Sequence, residues 1–312
     1  MNSTTRCTLI TVFSILVIFA GLSLINIKPN SSVTAPHDIQ KAFLEGTLQM
    51  PSGKPQRIIS LSPGITEILF ALEAGDRIAG VTSYSDYPEE AKTKPNVGEY
   101  QAPDIEKIIS LRPDLVIGTA DTKETLRLML MRSGIPVITI DPKSLPEIVA
   151  AIDLISAAIG EKEHGRILHE KFTSQMNAIQ YQLSQTPPKR IFLEIWDAPL
   201  LTIGGKSFIN DLVFRAGGQN VAAGIQTDYT PSNIEALYAY NPDIYVVVTH
   251  NNNNIRSLII RPELANLAAV QNKQVYQMTS DILTRPGPRS FQGLLQMATI
   301  LHPEVMQNGE IK

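Results

Sequence analysis

Aromatic, hydroxyl and charged side chains cluster in short loops directly after the apolar runs of this 312-residue sequence. These loops matter because, in sheets built from alternating strands and helices, ligands bind beyond the carboxyl ends of the strands. The candidate ligand-binding residues are Ser62, Pro63, Tyr84, Tyr100, Trp196, Tyr229, Asp281, Arg285 and Arg289. Such a set is typical of a site that holds a large amphipathic ligand by stacking and a few hydrogen bonds.

Each candidate also has an ordinary structural interpretation. Trp196, the only tryptophan, could pack in a core or between domains, and Tyr84 could cap the edge of a sheet. Asp281 and Arg285 lie four residues apart, which is the spacing of a local ion pair. Arg289 follows Pro-Gly-Pro and could be an ordinary surface arginine on a stiff loop. The residue types alone leave both interpretations open.

Enzymatic motifs are incomplete in this sequence. Residues 204–207 (Gly-Gly-Lys-Ser) resemble the end of a phosphate-binding loop, but that pattern requires a glycine where Leu200 stands. Only His250 among the five histidines follows a predicted strand, whereas a zinc or manganese site needs three or four convergent ligands. We therefore predict a protein that is not an enzyme, without catalytic residues, metal or cofactor. The alternative from a different class is a metal-dependent enzyme that uses His250 and nearby aspartates.

The composition points away from nucleic acid as a partner. The net charge is −3 and the isoelectric point is near 6.0, so no broad positive field surrounds the chain. A chain that is 43% hydrophobic and 18% charged is globular, and this one is long enough for two domains. Cys7 is the only cysteine, which excludes a disulfide within one chain. We expect the protein to act as a monomer.

The N-terminus has the pattern of an export signal. Arg6 precedes an apolar run over residues 9–27, and a polar, proline-containing stretch follows it. Residues 33–35 (Val-Thr-Ala) fit a cleavage site, although Pro36 directly after them is unfavourable. Because the run is near the length of a bilayer span, residues 1–35 are predicted to be a signal peptide or a membrane anchor. We expect an extracytoplasmic, periplasmic protein, with residues 36–56 as a tether.

Strand and helix patterns alternate through the rest of the chain. Short β-branched runs, such as residues 57–61 (RIISL) and 243–249 (DIYVVVT), indicate buried parallel strands. Segments with helical spacing of apolar residues lie between these runs, which is typical of βαβ units. The predicted fold class is therefore α/β, with an N-terminal lobe over residues 57–143 and a C-terminal lobe over residues 186–312, each built on a mainly parallel sheet.

A long helical run, residues 144–185, separates the two lobes. Gly160 and Gly165 are only weak breaks in it, so we predict one continuous helix of roughly 60 Å. Such a helix would hold the lobes apart around a ligand cleft. Because the connection is a single packed helix, we expect closure of the cleft to be a small rocking motion.

The two lobes share one local pattern. Residues 109–119 (ISLRPDLVIGT) and 237–249 (LYAYNPDIYVVVT) each run from a helix end through Pro-Asp into an apolar strand. We interpret this pair as an internal pseudo-repeat, which predicts two similar lobes.

Five segments resemble the helical-backbone class of periplasmic binding proteins of ABC importers. The resemblance covers residues 57–301, and the segments that carry it are RIISLSPGITEILFAL (57–72), GVTSYSDYP (80–88), LRPDLVIG (111–118), KRIFLEI (189–195) and TSDILTRPGPR (279–289). Members of this class carry vitamin B12, iron-siderophores or haem, and the sequence is most similar to those that carry vitamin B12. The resemblance implies capture of a cobalamin-like corrinoid and its delivery to the permease of an ABC importer.

The resemblance also implies roles for individual residues. Tyr84 would line the ligand site, and Tyr100 and Tyr229 would stand where the B12-binding members have tryptophans. Asp281 and Arg285 would contact the ligand from the second lobe. One alternative is a protein of the same class for haem or for a ferric siderophore, which is usually anionic and would be gripped by Arg285 and Arg289. Another is a membrane-anchored sensor without a transport partner.

Two glutamates would dock onto the permease. Glu106 and Glu235 match surface glutamates, one from each lobe, that in this family bind arginines of the membrane protein. Each begins a short predicted helix before a Pro-Asp strand, which agrees with the pseudo-repeat. The structural alternative is a carboxylate that interacts with the positive end of its own helix.

Overall fold

The computed structural model describes residues 53–249 and 261–306. The chain divides into two units, Met1–Thr34 and Ala35–Lys312, and every described residue belongs to the second. The predictions made for the export signal, for most of the tether and for His250 therefore lie outside the described residues. Within the described ranges, no helix is long and apolar enough to cross a bilayer.

A four-stranded parallel sheet forms the centre of the first lobe. The strands of this lobe are β1 (Ile58–Ser60), β2 (Ile78–Val81), β3 (Gly98–Glu99), β4 (Ala102–Pro103), β5 (Leu115–Thr119) and β6 (Val137–Ile140). Its helices are α1 (Pro63–Ala71), α2 (Ile105–Ser110) and α3 (Glu124–Arg132). The main sheet has the order β2-β1-β5-β6, and β3 and β4 form a separate antiparallel pair. The predicted parallel βαβ arrangement is confirmed in this lobe.

Two helices follow the first lobe, where the sequence pattern predicts one. They are α4 (Leu145–Ile159) and α5 (Lys162–Gln182). Gly160 ends α4 in the left-handed conformation, with a φ of 74°, which turns the chain and stops the helix. The two helices pack closely, since a Cβ on Gly165 would lie 2.2 Å from Oγ of Ser156. The expectation of one continuous helix over residues 144–185 is therefore wrong.

Both helices reach from one lobe to the other. In α4, the backbone N–H of Leu145 donates to Asp211 of the second lobe at 2.8 Å, and the carbonyl oxygen of Ile159 accepts from Arg77 of the first lobe at 2.9 Å.

The second helix, α5, carries the chain from the first lobe into the second. At its start, Glu161 accepts a hydrogen bond from Arg77 of the first lobe at 2.7 Å. Further along, Phe172 stacks on Phe291 of the second lobe, with 4.0 Å between ring centroids. Its 21 residues correspond to roughly 30 Å, about half the predicted length. The prediction of two lobes joined by a long helix holds, with these bounds.

The second lobe repeats the parallel sheet and adds a small antiparallel one. Its strands are β7 (Lys189–Glu194), β8 (Trp196–Asp197), β9 (Leu200–Ile203), β10 (Gly218–Asn220), β11 (Tyr229–Pro231), β12 (Ile244–Thr249) and β13 (Val275–Thr279). Its helices are α6 (Phe208–Arg215), α7 (Ile234–Tyr240), α8 (Ala268–Gln271), α9 (Ser280–Thr284), α10 (Ser290–Leu301) and α11 (Pro303–Met306). The parallel sheet has the order β10-β7-β12-β13, and the antiparallel sheet has the order β11-β9-β8.

The pseudo-repeat has a physical counterpart in the hydrogen bonds of the two lobes. Asp114 accepts a hydrogen bond from the backbone N–H of Arg57 at 2.9 Å. Asp243 accepts one from the backbone N–H of Arg190, also at 2.9 Å. Each aspartate comes from the Pro-Asp pair, and each therefore fixes the start of the central strand of its lobe. The two copies of the pattern occupy equivalent positions, as predicted.

One hydrophobic core runs through both lobes. Ile152 of α4, Ile179 of α5, Ile58 of β1 and Ile191 of β7 all belong to it, and all four side chains are fully buried. Each lobe has a smaller second core on the other face of its sheet. Because a parallel sheet is covered on both faces, its strands are apolar on both sides, which is why they were recognisable in the sequence.

Candidate functional site

A cavity of about 440 Å³ lies between the lobes. In the first lobe its walls are loops at the carboxyl ends of β1, β2, β5 and β6, which is where ligands bind in open α/β sheets. Six of the nine predicted ligand-binding residues line it. They are Ser62, Pro63, Tyr84, Tyr100, Tyr229 and Arg285.

Tyr84 is held in an unusual backbone conformation at the rim of this cavity. Its φ is 68°, in the left-handed region that non-glycine residues rarely adopt, and its side chain is 73% exposed. Such strained residues are concentrated at ligand sites. The conformation presents a large aromatic ring to solvent beside the cavity, where a ligand can cover it.

Tyr100 is anchored by its hydroxyl group. The hydroxyl donates to Asp121 at 2.9 Å and lies 3.0 Å from Oγ1 of Thr119. Burial raises the pKa of Tyr100, and the carboxylate of Asp121 raises it further because a phenolate there would be repelled. The neutral ring therefore has a fixed orientation on the wall of the cavity.

Tyr229 faces the cavity from the second lobe. It begins β11, which pairs with β9 so that Tyr229 lies opposite Ile203. Burial raises the pKa of Tyr229, and the neighbouring Asp228 carboxylate raises it further. With Tyr84 and Tyr100, this ring gives the cavity aromatic groups from both lobes.

Trp196 does not line the cavity. It lies in β8, which β9 separates from the β11 strand of Tyr229. Its side chain is 52% exposed, and Nε1 donates to the carbonyl oxygen of Ala198 at 3.1 Å. This position argues against a direct ligand contact.

Arg285 links the two lobes and also lines the cavity. Its guanidinium donates to Asp86 of the first lobe at 2.5 Å and pairs with Asp281 of its own lobe at 2.9 Å. Burial raises the pKa of Asp86, but the hydrogen bond and charge of Arg285 outweigh burial and hold the pKa below its usual value. Asp281 is bound to Arg285 but does not itself line the cavity.

Arg289 shares its partner Asp281 with Arg285 but does not line the cavity. It donates to Glu67 of the first lobe at 2.7 Å, pairs with Asp281 at 3.5 Å and lies 4.2 Å from the ring centroid of Tyr87. Burial raises the pKa of Glu67 above its usual value, although the hydrogen bond and charge of Arg289 act in the opposite direction. Arg289 therefore holds the lobes together rather than facing the cavity.

Sequence reasoning missed the two partners in the first lobe, Glu67 and Asp86. Glu67 lies in the predicted α1 helix, where a carboxylate is ordinarily solvated, and yet only 3% of it is exposed. Asp86 lies within the SYSDYP segment that carries the family resemblance, but nothing near it indicates a partner 199 residues away. Two further charged residues, Asp141 and Lys143, line the cavity after β6 and were also missed.

The two predicted docking glutamates occupy equivalent positions. Glu106 lies in the first turn of α2, and Glu235 lies in the first turn of α7. Each helix begins at a residue whose side chain accepts a hydrogen bond from the backbone three residues later, Asp104 in one lobe and Asn233 in the other. Both glutamates are exposed. In the part of the chain that the structure describes, no group of three or more acidic, histidine or cysteine side chains is placed to hold a metal.

A family model described as periplasmic binding protein matches residues 58–282. The chain belongs to the periplasmic binding protein family. The matched segment runs from β1 through α5 into α9 of the second lobe, so the resemblance inferred from the motifs is confirmed.

Individual relatives of this periplasmic binding protein carry different ligands. The vitamin B12-binding protein of Vibrio cholerae has a solved structure that is 30% identical, with a TM-score of 0.70, over 82% of this chain and 99% of that one. The haem-binding protein of Roseiflexus is 28% identical, with a TM-score of 0.70, over 81% and 100%. An uncharacterized ABC transporter substrate-binding lipoprotein of Bacillus subtilis is 31% identical over 81% and 82%.

These findings establish the general class. The binding protein is a solute-binding component of ABC transport, and its family and relatives are transport proteins that act outside the cytoplasm and are not enzymes. The vitamin B12 of its relatives is a ligand rather than a cofactor. Haem and vitamin B12 are both represented at about 30% identity, so the identity of its ligand is a separate question.

Proposed function

We propose that this protein captures a cobalamin-like corrinoid in the cleft between its lobes and delivers it to the permease of an ABC importer. The observation that carries the proposal is that both cations lining the described cavity are already paired. Lys143 lies 3.0 Å from Asp141, and Arg285 is bound to Asp86 and Asp281. An anionic ligand would have to compete with these carboxylates for the two cations.

The ligand classes differ in the groups that they present. Haem carries two propionate groups, and ferric siderophores are usually anionic, so a cation without a carboxylate partner would favour both of them. A corrinoid presents neutral carboxamides around a large macrocycle. Its amide N–H groups can donate to the aspartates of the cavity, and its macrocycle can stack on Tyr84, Tyr100 and Tyr229. The relative from Vibrio cholerae named for vitamin B12 agrees with this choice.

Delivery is proposed to involve Glu106 and Glu235. Both are exposed, and each lies at the start of a short helix that is placed equivalently in its lobe. Two acidic groups related in this way fit a permease with two basic sites, one for each lobe. The permease contacts the surfaces of the two lobes, whereas the ligand lies in the cleft between the lobes.

Calorimetric titration of the purified protein with cyanocobalamin, haem and a ferric siderophore tests the ligand. We expect saturable binding of cyanocobalamin with one ligand for each chain, and much weaker binding of the two anionic compounds. Tight binding of haem or of the siderophore, without binding of cyanocobalamin, would contradict the proposal and favour the alternative ligand class.

A further inference from the structure

The described walls of the cavity carry more carboxylates than cations. Asp121 and Asp141 line it from the first lobe, and Asp228 lines it from the second. The cations on the same walls are Lys143 and Arg285. A ligand in this cavity therefore meets an excess of negative charge, which the two carboxylates behind Arg285 increase further.

The three aspartates differ in how they are held. Asp141 is paired with Lys143 at 3.0 Å, which offsets its charge. Asp121 accepts the hydroxyl proton of Tyr100 at 2.9 Å, a neutral donor that leaves the carboxylate charge in place. Asp228 lies beside Tyr229 and close enough to Lys143 to interact with it electrostatically, but it is not ion-paired with it. Among the described residues, the cavity carboxylates without an ion pair are therefore Asp121 and Asp228, one on each side of the cleft, and both lie near enough to Lys143 to raise its pKa.

Corrinoids differ in net charge according to whether they carry the nucleotide loop with its phosphodiester. A corrin ring with cobalt(III) and one cyanide has a charge of +1 when the nucleotide loop is missing, as in aquocyanocobinamide. The phosphodiester of the complete nucleotide loop adds a charge of −1, so cyanocobalamin is neutral. The two compounds share the same macrocycle and the same ring amides. A site that carries excess negative charge distinguishes them through this difference.

We propose that Asp121 and Asp228 make the cleft select among corrinoids by charge, so that cationic corrinoids without the nucleotide phosphate bind more tightly than neutral, complete ones. This inference rests on the corrinoid function proposed above. It goes beyond that function because it assigns a preference for incomplete corrinoids, and it assigns that preference to two named carboxylates on opposite lobes.

Titration of the wild-type protein with three probes tests the preference without any variant. At low salt we expect aquocyanocobinamide to bind about 5-fold more tightly than cyanocobalamin, because one unit of charge differs near two carboxylates. Aquocobalamin, which keeps the nucleotide loop but has a charge of +1, should also bind more tightly than cyanocobalamin at a pH at which its axial water is protonated. This third probe separates charge from the loss of the loop. The preference should decrease at high salt because screening weakens it.

The double variant Asp121→Asn, Asp228→Asn tests the assignment. Because asparagine keeps the size and an acceptor oxygen of the side chain but removes its charge, we expect the ratio of the two affinities to fall to within about 2-fold, whatever the affinity for cyanocobalamin itself becomes. Asp76→Asn is the matched control, since Asp76 is exposed and does not line the cavity. It should leave the ratio unchanged.

The possible failures are distinguishable. If none of the corrinoids binds, the proposed function itself is wrong. If they bind with equal affinity in the wild type, or if cyanocobalamin binds more tightly, the function stands and the selection by charge is wrong. If the preference exists but survives in the double variant, the two aspartates are not its source, and the assignment is overturned.

Discussion

Arg289 of the second lobe is ion-paired with Glu67 of the first, with 2.7 Å between Nη2 and Oε1. The glutamate side chain is buried, with 2% of its surface exposed, and the arginine side chain is largely buried, with 12% exposed. A second pair, Arg285 with Asp86, crosses the same boundary at 2.5 Å. The lobes are therefore joined by charged groups beside the cleft as well as by α5. Both connections favour the small rocking motion that we expect on ligand binding, which scattering with and without ligand would measure.

Removing Arg289 tests the buried ion pair. Arg289→Ala should lower the free energy of unfolding by about 3–5 kcal/mol at neutral pH, because it leaves an ionised carboxylate buried without a partner. The loss should become smaller at acidic pH, because burial already raises the pKa of Glu67 and protonation removes its charge. Urea unfolding at the two pH values measures both effects.

An exposed ion pair provides the control for this experiment. Lys92→Ala removes the pair of Lys92 with Glu89, in which both side chains are largely in solvent. Its unfolding should match that of the wild type at both pH values. If the loss in Arg289→Ala were the same at both pH values, the charge of Glu67 would not be its cause.

A glycine at the lobe boundary provides a steric test. A Cβ on Gly64 would lie 2.3 Å from the carbonyl oxygen of Pro286 in the other lobe. Gly64→Ala should therefore force the lobes apart and destabilise the protein by about 1–3 kcal/mol. Ligand affinity should fall with it, since the walls of the cavity would separate. Gly224→Ala is the control, because a Cβ there would meet no atom within 4 Å. Equal behaviour of the two variants would contradict the close contact.

The tyrosines and the tryptophan are expected to contribute differently to ligand binding. Tyr229→Ala should weaken corrinoid binding by about 3- to 10-fold, because a stacked ring contributes roughly 0.5–1.5 kcal/mol beyond its area. Trp196→Ala should have less effect, since Trp196 lies outside the cavity walls. Calorimetry of both variants measures the two affinities. A larger loss for Trp196→Ala would place the ligand on the outer side of β8 instead.

The docking proposal predicts that uptake can be lost without a loss of ligand binding. The double variant Glu106→Lys, Glu235→Lys should bind the ligand with unchanged affinity, because neither residue lines the cavity, and should abolish uptake by cells. Glu90→Lys, Glu263→Lys is the control, since it reverses one exposed charge on each lobe at other positions. Uptake that persists in the first variant would exclude these glutamates as docking groups.

The local pattern of the sequence determined the two lobes. Buried parallel strands are continuous apolar runs, and the Pro-Asp units repeat because each aspartate binds the backbone at the start of a central strand. The loops after the strands were predictable for the same reason, so Tyr84, Tyr100 and Tyr229 could be placed at the cleft from the sequence. The strands and their loops depend on residues that are close along the chain, and the Pro-Asp unit occurs twice in the sequence.

The break in the connecting helices needed the tertiary structure. Gly160 is a weak helix former, but a glycine inside a helix costs only about 1 kcal/mol, so the sequence alone does not decide whether the helix stops there. Here Glu161 is paired with Lys54 and Arg77, and α5 packs back on α4. Those contacts determine where one helix stops and the next begins.

The ion pairs between the lobes were also visible only in the fold. Glu67 and Arg289 lie 222 residues apart, and Asp86 and Arg285 lie 199 apart. Sequence reasoning placed both arginines among the ligand-binding candidates because they follow the last predicted strand. The fold brings a carboxylate of the other lobe to each of them and leaves only Arg285 on the wall of the cavity. An ion pair between distant segments leaves no periodicity in either segment, so only the tertiary structure could decide which charges hold the lobes together and which face the ligand.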